Sequence, residues 1–111
     1  MNKTMQLYNQ TQKKLIARGV FVASNILAKS LGLIGQNKIT PLYLKTRWGI
    51  HTFGVKRTIT ILLCNDNLQV KAIKSLRPNR VFLYNPRYQH IFELPSQDYP
   101  VTITDMLSLN L

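Results

Sequence analysis

The sequence predicts a small α+β domain, predominantly antiparallel β and barrel-like, with one helix near its N-terminus. Three observations predict this. From Ile39 onward, short alternating or apolar segments are separated by Asn, Asp, Gly and Pro. Between Val20 and Leu33 the spacing of Val20, Ala23, Leu27 and Leu31 becomes helical. The length of 111 residues suits one domain spanning 1–111, and a hydrophobic content of 45% supplies its core.

The elements follow in order. Met5–Asn9 reads as a strand, Gln10-Thr11-Gln12 as a polar turn, and Lys14–Arg18 as a returning strand punctuated by Gly19. The helix follows, and Gly32 and Gly35 end it, since glycine tolerates the positive φ of a helix exit. Leu42–Leu44 is a short strand after Pro41. Thr58–Cys64 begins by alternating and then turns continuously apolar, which suits a strand whose far half is covered on both faces. Asn65-Asp66-Asn67 is a turn, and Leu68–Ile73 completes the hairpin. Arg77-Pro78-Asn79 breaks the pattern before a strand at Arg80–Tyr84, which places Arg80, Phe82 and Tyr84 on one face. Asn85-Pro86-Arg87 turns the chain into His90–Leu94, which Pro95 ends. Val101–Ile103 and Met106–Leu109 read as closing strands. Leu27 and Leu31 of the helix are expected to pack against Ile61 and Leu63 of the central strand.

The charge is the unusual quantity. Fifteen Lys and Arg stand against four Asp and Glu, a net charge of +11. Such a surplus attracts polyanions, whether nucleic acid, anionic lipid or an acidic protein; the plainer reading is a basic surface that aids solubility. Nine bases and a single acid, Asp66, lie between Lys45 and Arg87. They are dispersed rather than run together, so folding has to assemble any patch. Lys13 and Lys14 precede an apolar stretch, but Arg18 interrupts it, and it falls short of the ~20 residues of a membrane helix. No transmembrane segment is expected. The single cysteine, Cys64, excludes an internal disulfide and fits a reducing, cytoplasmic setting.

The candidate chemistry is sparse. No phosphate-binding glycine loop or nucleophile elbow is present. His90 and Glu93 are three apart on a strand and face opposite sides, and Cys64 and His51 lack ligand spacing, so neither a metal nor a cofactor is expected. Cys64 ends an apolar run and reads as a buried, inert thiol. Arg80-Val81-Phe82-Leu83-Tyr84 and Arg87-Tyr88 interleave bases with aromatics, as small barrels do when they stack on single strands. Arg80, Tyr84, Arg87, Lys71 and Lys74 are the nucleic-acid candidates; the alternative makes Phe82 core and Tyr84 a cover of the barrel mouth.

Three stretches carry a family resemblance. Lys29-Ser30-Leu31-Gly32-Leu33-Ile34-Gly35, Ile50-His51-Thr52-Phe53-Gly54-Val55 and Glu93-Leu94-Pro95 occur in this order. In motif, order and spacing the chain resembles the domain of unknown function 192 family, small and mostly bacterial proteins, over about Met5 to Leu109. The resemblance implies a compact β-rich barrel-like domain with a helix near its start, and implies no activity. Thr60 stands where members carry Asp, Val55 where they carry Met, and Ser96-Gln97 where they carry Ala-Gly. The late Gly-Asp survives as Thr104-Asp105. The loss of the carboxylate at Thr60 counts against a hydrolase built on His51 and Glu93. His51, Thr52 and Glu93 are therefore ligand-binding candidates around one concavity, with Arg57 or Arg80 at its rim, and a non-catalytic ligand-binding or interaction module is the expected function. A nucleic-acid-associated basic barrel is the first alternative.

Overall fold

The computed structural model describes residues 4–22, 40–46, 49–51, 57–83, 85 and 87–111, with residues 49–51 described by their backbone. Nine strands order the described residues: β1 (Thr4–Asn9), β2 (Lys14–Val22), β3 (Leu42–Lys45), β4 (Gly49–His51), β5 (Ile59–Cys64), β6 (Val70–Leu76), β7 (Val81–Leu83), β8 (His90–Pro95) and β9 (Leu107–Asn110). Seven form one sheet in the order β6-β5-β8-β3-β2-β1-β9, and β4 pairs with β7 apart from it. Every neighbouring pair is antiparallel except β2 with β3.

The large sheet curls until its two edges approach. Just before β6 and β9, Gln69 bridges Met106. Val70 N–H donates to Asp105 O at 2.9 Å, and Leu107 N–H donates to Leu68 O at 2.9 Å. The result is a small, mostly antiparallel half-barrel. Leu7, Ile16, Val20, Leu62, Cys64, Val70, Phe92, Leu94 and Leu107 form its interior, drawn from six strands. Leu42, Leu44, Ile59, Ile61, Leu63 and Ile91 form a second cluster on the other face of β3, β5 and β8, and Phe82 of β7 packs against it. Both faces of β5 are thus covered, and all six of its residues are buried. Its unbroken apolar run is the sequence signature of that position.

Three expectations need correction. Gly19 does not end the second strand. It adopts φ +64° inside β2, at a bulge where Met5 pairs with Val20 but Leu7 pairs with Ala17. A Cβ there would meet nothing within 4 Å, so the backbone angle, not crowding, calls for glycine. β2 then runs through Val20–Val22, the intended start of the helix, because these residues pair on both sides. Thr4 and Met5 flank one side, and Leu42 and Tyr43 flank the other. The described residues contain no helix, and the rest of the helix expectation, Leu27 and Leu31 included, lies outside them. Ile61 and Leu63 do share one buried cluster.

The second correction concerns Val101–Ile103, which forms a turn instead of a closing strand. The Asp105 carboxylate captures Thr102 N–H at 2.9 Å and holds the segment away from any ladder. The expected hairpin partner also begins late, at Val70, because Leu68 sits at φ +59°.

Candidate functional site

The candidate site lies at the turn end of the β5–β6 hairpin, between two turns that their own asparagines build. Asn65 Oδ1 accepts from Asn67 N–H and Gln69 N–H, each at 3.0 Å, which closes the first turn and leaves Asp66 at its tip. Asn85 Oδ1 accepts from Arg87 N–H at 3.0 Å, and Asn85 O accepts from Tyr88 N–H at 2.9 Å, which closes the second. Leu63 pairs with Ala72 while Cys64 pairs with Val70, so Lys71 is the extra residue of a bulge beside the first turn. A concavity of about 620 Å³ opens between the turns. Lys71 and Arg87 line it together with Asp66, Tyr88 and the amides of Asn65, Asn67 and Gln89. This volume lies within the range of about 300–1,000 Å³ of small-ligand sites.

A hydrogen-bonded chain runs from this concavity into the barrel. Asp66 Oδ1 lies 3.1 Å from His90 Nε2, and His90 Nδ1 lies 2.6 Å from the Tyr43 hydroxyl. The side chain of Asp66 is 76% exposed and that of His90 14%, so the chain begins in solvent and ends in protein. The Tyr43 ring stacks on His90, with centroids 5.9 Å apart and planes at 14°, and also leans on Phe92. Burial first, then the neighbouring Cys64 and Asp66, push the Tyr43 phenol above its ordinary value. Tyr43 is therefore a neutral donor. A neutral His90 with its proton on Nε2 satisfies both contacts at once, donating to Asp66 and accepting from Tyr43. Cys64, the register neighbour of His90 on β5, is fully buried, and burial pushes its thiol up to about 12. It has no nucleophilic role at neutral pH.

The structure separates the residues that the sequence singled out. Lys71 and Arg87 meet in the concavity. Lys74 does not join them; it lines a second hollow of about 330 Å³ with Thr60, Ser75, Ser96, Gln97 and Asp98. Arg80 is exposed before β7 and donates to Asn79 O at 3.4 Å. Arg57 is exposed before β5. Glu93 is buried on β8, in register with Leu42 and Ile61, on the face opposite His90. It is engaged in an interaction of its own there. The backbone of His51 pairs with Val81 in the small sheet. Thr52 and Tyr84 lie outside the described residues. Among the described residues no three His, Cys, Asp or Glu side chains gather as a metal site would need. No helix among them is long and apolar enough to cross a membrane.

Sequence reasoning marked Tyr88 beside Arg87 but missed Asp66, His90 and Tyr43 as partners. The available signal was scarcity: Asp66 is one of four acids and His90 one of two histidines. Their contact spans 24 positions and exists because β5 pairs with β8. No local pattern encodes that pairing.

No protein-family model matches the chain, and no curated protein matches it. Of the family motifs, residues 29–35 and 52–55 lie outside the described residues, whereas Glu93-Leu94-Pro95 closes β8. Among solved structures the chain is similar to a "putative transcription regulator" from Sinorhizobium meliloti 1021, with a TM-score of 0.74. The match covers 98% of this chain and 94% of that chain at 10% sequence identity. At that identity the likeness is one of fold.

Proposed function

We propose that this chain is a non-catalytic binding module whose ligand is single-stranded nucleic acid, held at the turn end of the β5–β6 hairpin. The observation that carries this reading is the convergence of Lys71 and Arg87 with Tyr88 in one concavity of a protein with net charge +11. Two cations attract the phosphate backbone, the part of the Tyr88 ring not packed on the second cluster offers a stacking surface, and the amides of Asn67 and Gln89 serve bases of any kind. The full burial of Cys64, the one thiol of the chain, favours binding over catalysis. The fold likeness to a protein described as a transcription regulator agrees with this reading and does not carry it.

The test is fluorescence anisotropy with a labelled oligonucleotide over a salt series. About four phosphate contacts give a log–log slope near −3 on a single strand. The double variant Lys71→Ala, Arg87→Ala should flatten the slope by about 1.4, since each single-strand contact adds about 0.7. Undetectable binding at low salt, or a double variant with unchanged affinity and slope, would overturn the reading.

A second reading places a ligand between His51, Thr52 and Glu93, within a divergent member of the domain of unknown function 192 family. It is supported by the motif Ile50–Gly54 and by Phe82, the register partner of Ile50, which packs on the face of the sheet that holds Glu93. A crystal structure with the His51 ring on the far side of the domain from Glu93 would remove it.

A further inference from the structure

The concavity that carries Lys71 and Arg87 also carries a carboxylate, which an anion-binding surface does not need. Asp66 is at the tip of its turn and mostly exposed, and among the described residues its side chain meets His90. His90 is mostly buried and is held from its other nitrogen by the Tyr43 hydroxyl. The ring is therefore fixed in either protonation state. When neutral it donates to Asp66 and accepts from Tyr43. When protonated it donates to both, and the Tyr43 hydroxyl turns its proton away.

We propose that the Asp66–His90–Tyr43 chain sets the charge of the concavity, and that protonation of His90 tightens its hold on a phosphate-bearing ligand. The inference rests on reading this concavity as the nucleic-acid site. With His90 neutral, Asp66 contributes a full negative charge beside Lys71 and Arg87 and repels phosphate. With His90 protonated, the charge of Asp66 is offset at 3.1 Å and the two cations dominate. Histidine is the side chain that changes charge near neutral pH.

Among the described residues, the following groups face His90. Tyr43 and Lys45 lie on β3, with Lys45 as its register partner. Cys64 is its register partner on β5 and stays protonated. Asp66 faces it from the turn, with Lys71 and Arg87 lining the same hollow. Lys45, Lys71 and Arg87 oppose protonation of His90, and Asp66 favours it. A bound phosphate neutralises two of the opposing cations, so ligand and proton help each other to bind, and the coupling is reciprocal.

The experiment measures the affinity of a labelled oligothymidylate from about pH 8 down to about pH 5.5 at constant ionic strength, across the range in which histidine titrates. Thymine does not take up a proton in that range, so the probe is silent. Affinity should rise about three- to tenfold in the native chain, as expected for one charge acting across several ångströms of partly screened space. His90→Gln should abolish the rise. Asp66→Asn should bind more tightly than the native chain at the upper pH and respond less to acid. The His90 imidazole resonance in NMR titrations should show its midpoint move up on binding oligothymidylate, which keeps the test open if His90→Gln folds poorly. Tight binding with no pH response, a response that survives in His90→Gln, or an unmoved midpoint would overturn this inference and leave the binding reading intact. Absence of binding at either pH would overturn the binding reading, and this inference with it.

Discussion

Two carboxylates of this chain sit in turns, and they have opposite surroundings. Asp105 is buried and accepts from Asn9 Nδ2 at 2.7 Å, Gln12 Nε2 at 2.7 Å and Thr102 N–H at 2.9 Å. These hydrogen bonds, that from Asn9 foremost, hold its carboxyl below the ordinary carboxylate value. Asp66 is exposed, and a single ionisable histidine holds it. The first carboxylate ties the β1–β2 turn to the segment before β9, more than ninety residues away in sequence. The second joins the β5–β6 turn to the start of β8 through one exposed contact. Neutral donors that cannot leave make a structural joint, whereas a partner that changes charge leaves the group free to respond to solvent and ligand.

The largest effect should come from breaking what both regions share. β5 is buried on both faces, and β8 and β6 flank it. Leu63→Ala should cost about 2–5 kcal/mol in urea unfolding. A loss below about 0.5 kcal/mol would mean that β5 is not the central support it looks to be.

The structural joint should come next. Asn9 is fully buried; it donates to Pro100 O at 2.9 Å as well as to Asp105, and it accepts from Gln12 N–H at 3.0 Å. Asn9→Ala should destabilise by about 1–3 kcal/mol, because the groups it leaves behind are shielded from water. A near-neutral result would put Asp105 in the same class as Asp66.

Acid should separate the two carboxylates further. The folded value of Asp105 is lowered, so the unfolded chain binds its proton first as the pH falls. The stability that Asp105 contributes is complete above the ordinary value of 3.8 and is lost as the pH falls through the lowered one. Unfolding midpoints measured below about pH 4 should fall more steeply for the native chain than for Asp105→Asn. Parallel curves would contradict the joint.

The smallest effect on stability should come from Asp66→Asn. A surface change of this kind stays within about 0.5 kcal/mol. The same variant should nevertheless alter nucleic-acid affinity. A loss of stability well above that limit, with affinity unchanged, would reverse the comparison.

Much of the strand order was legible in the sequence, because the signals are local. Leu7 and Asn9 alternate with exposed neighbours, Asn65 and Asn85 announce their turns, and the apolar run of β5 announces a strand covered twice. The period of Val20–Val22 misled, because a glycine at φ +64° inside a strand carries the same punctuation as a glycine that ends one. At the candidate site, residue types were legible but their company was not. Lys71 and Arg87 were marked by charge, whereas Asp66 and His90 passed as a turn residue and the start of a strand.

By itself, then, the sequence determined a β-rich, barrel-like domain, its turns, the surplus of positive charge and the absence of nucleophile-elbow and phosphate-loop motifs. Each of these is written in composition or in spacings of a few residues. The tertiary structure alone decided which charges meet. It put Lys71 and Arg87 together and sent Lys74 to another hollow. It brought Asp66, His90 and Tyr43 into line and buried Glu93 on the opposite face. These choices follow from the register of β5 with β8 and β6 and of β3 with β8. Register is set by how the apolar faces of distant strands fit, and a shift of one residue would turn every one of these side chains to the other face.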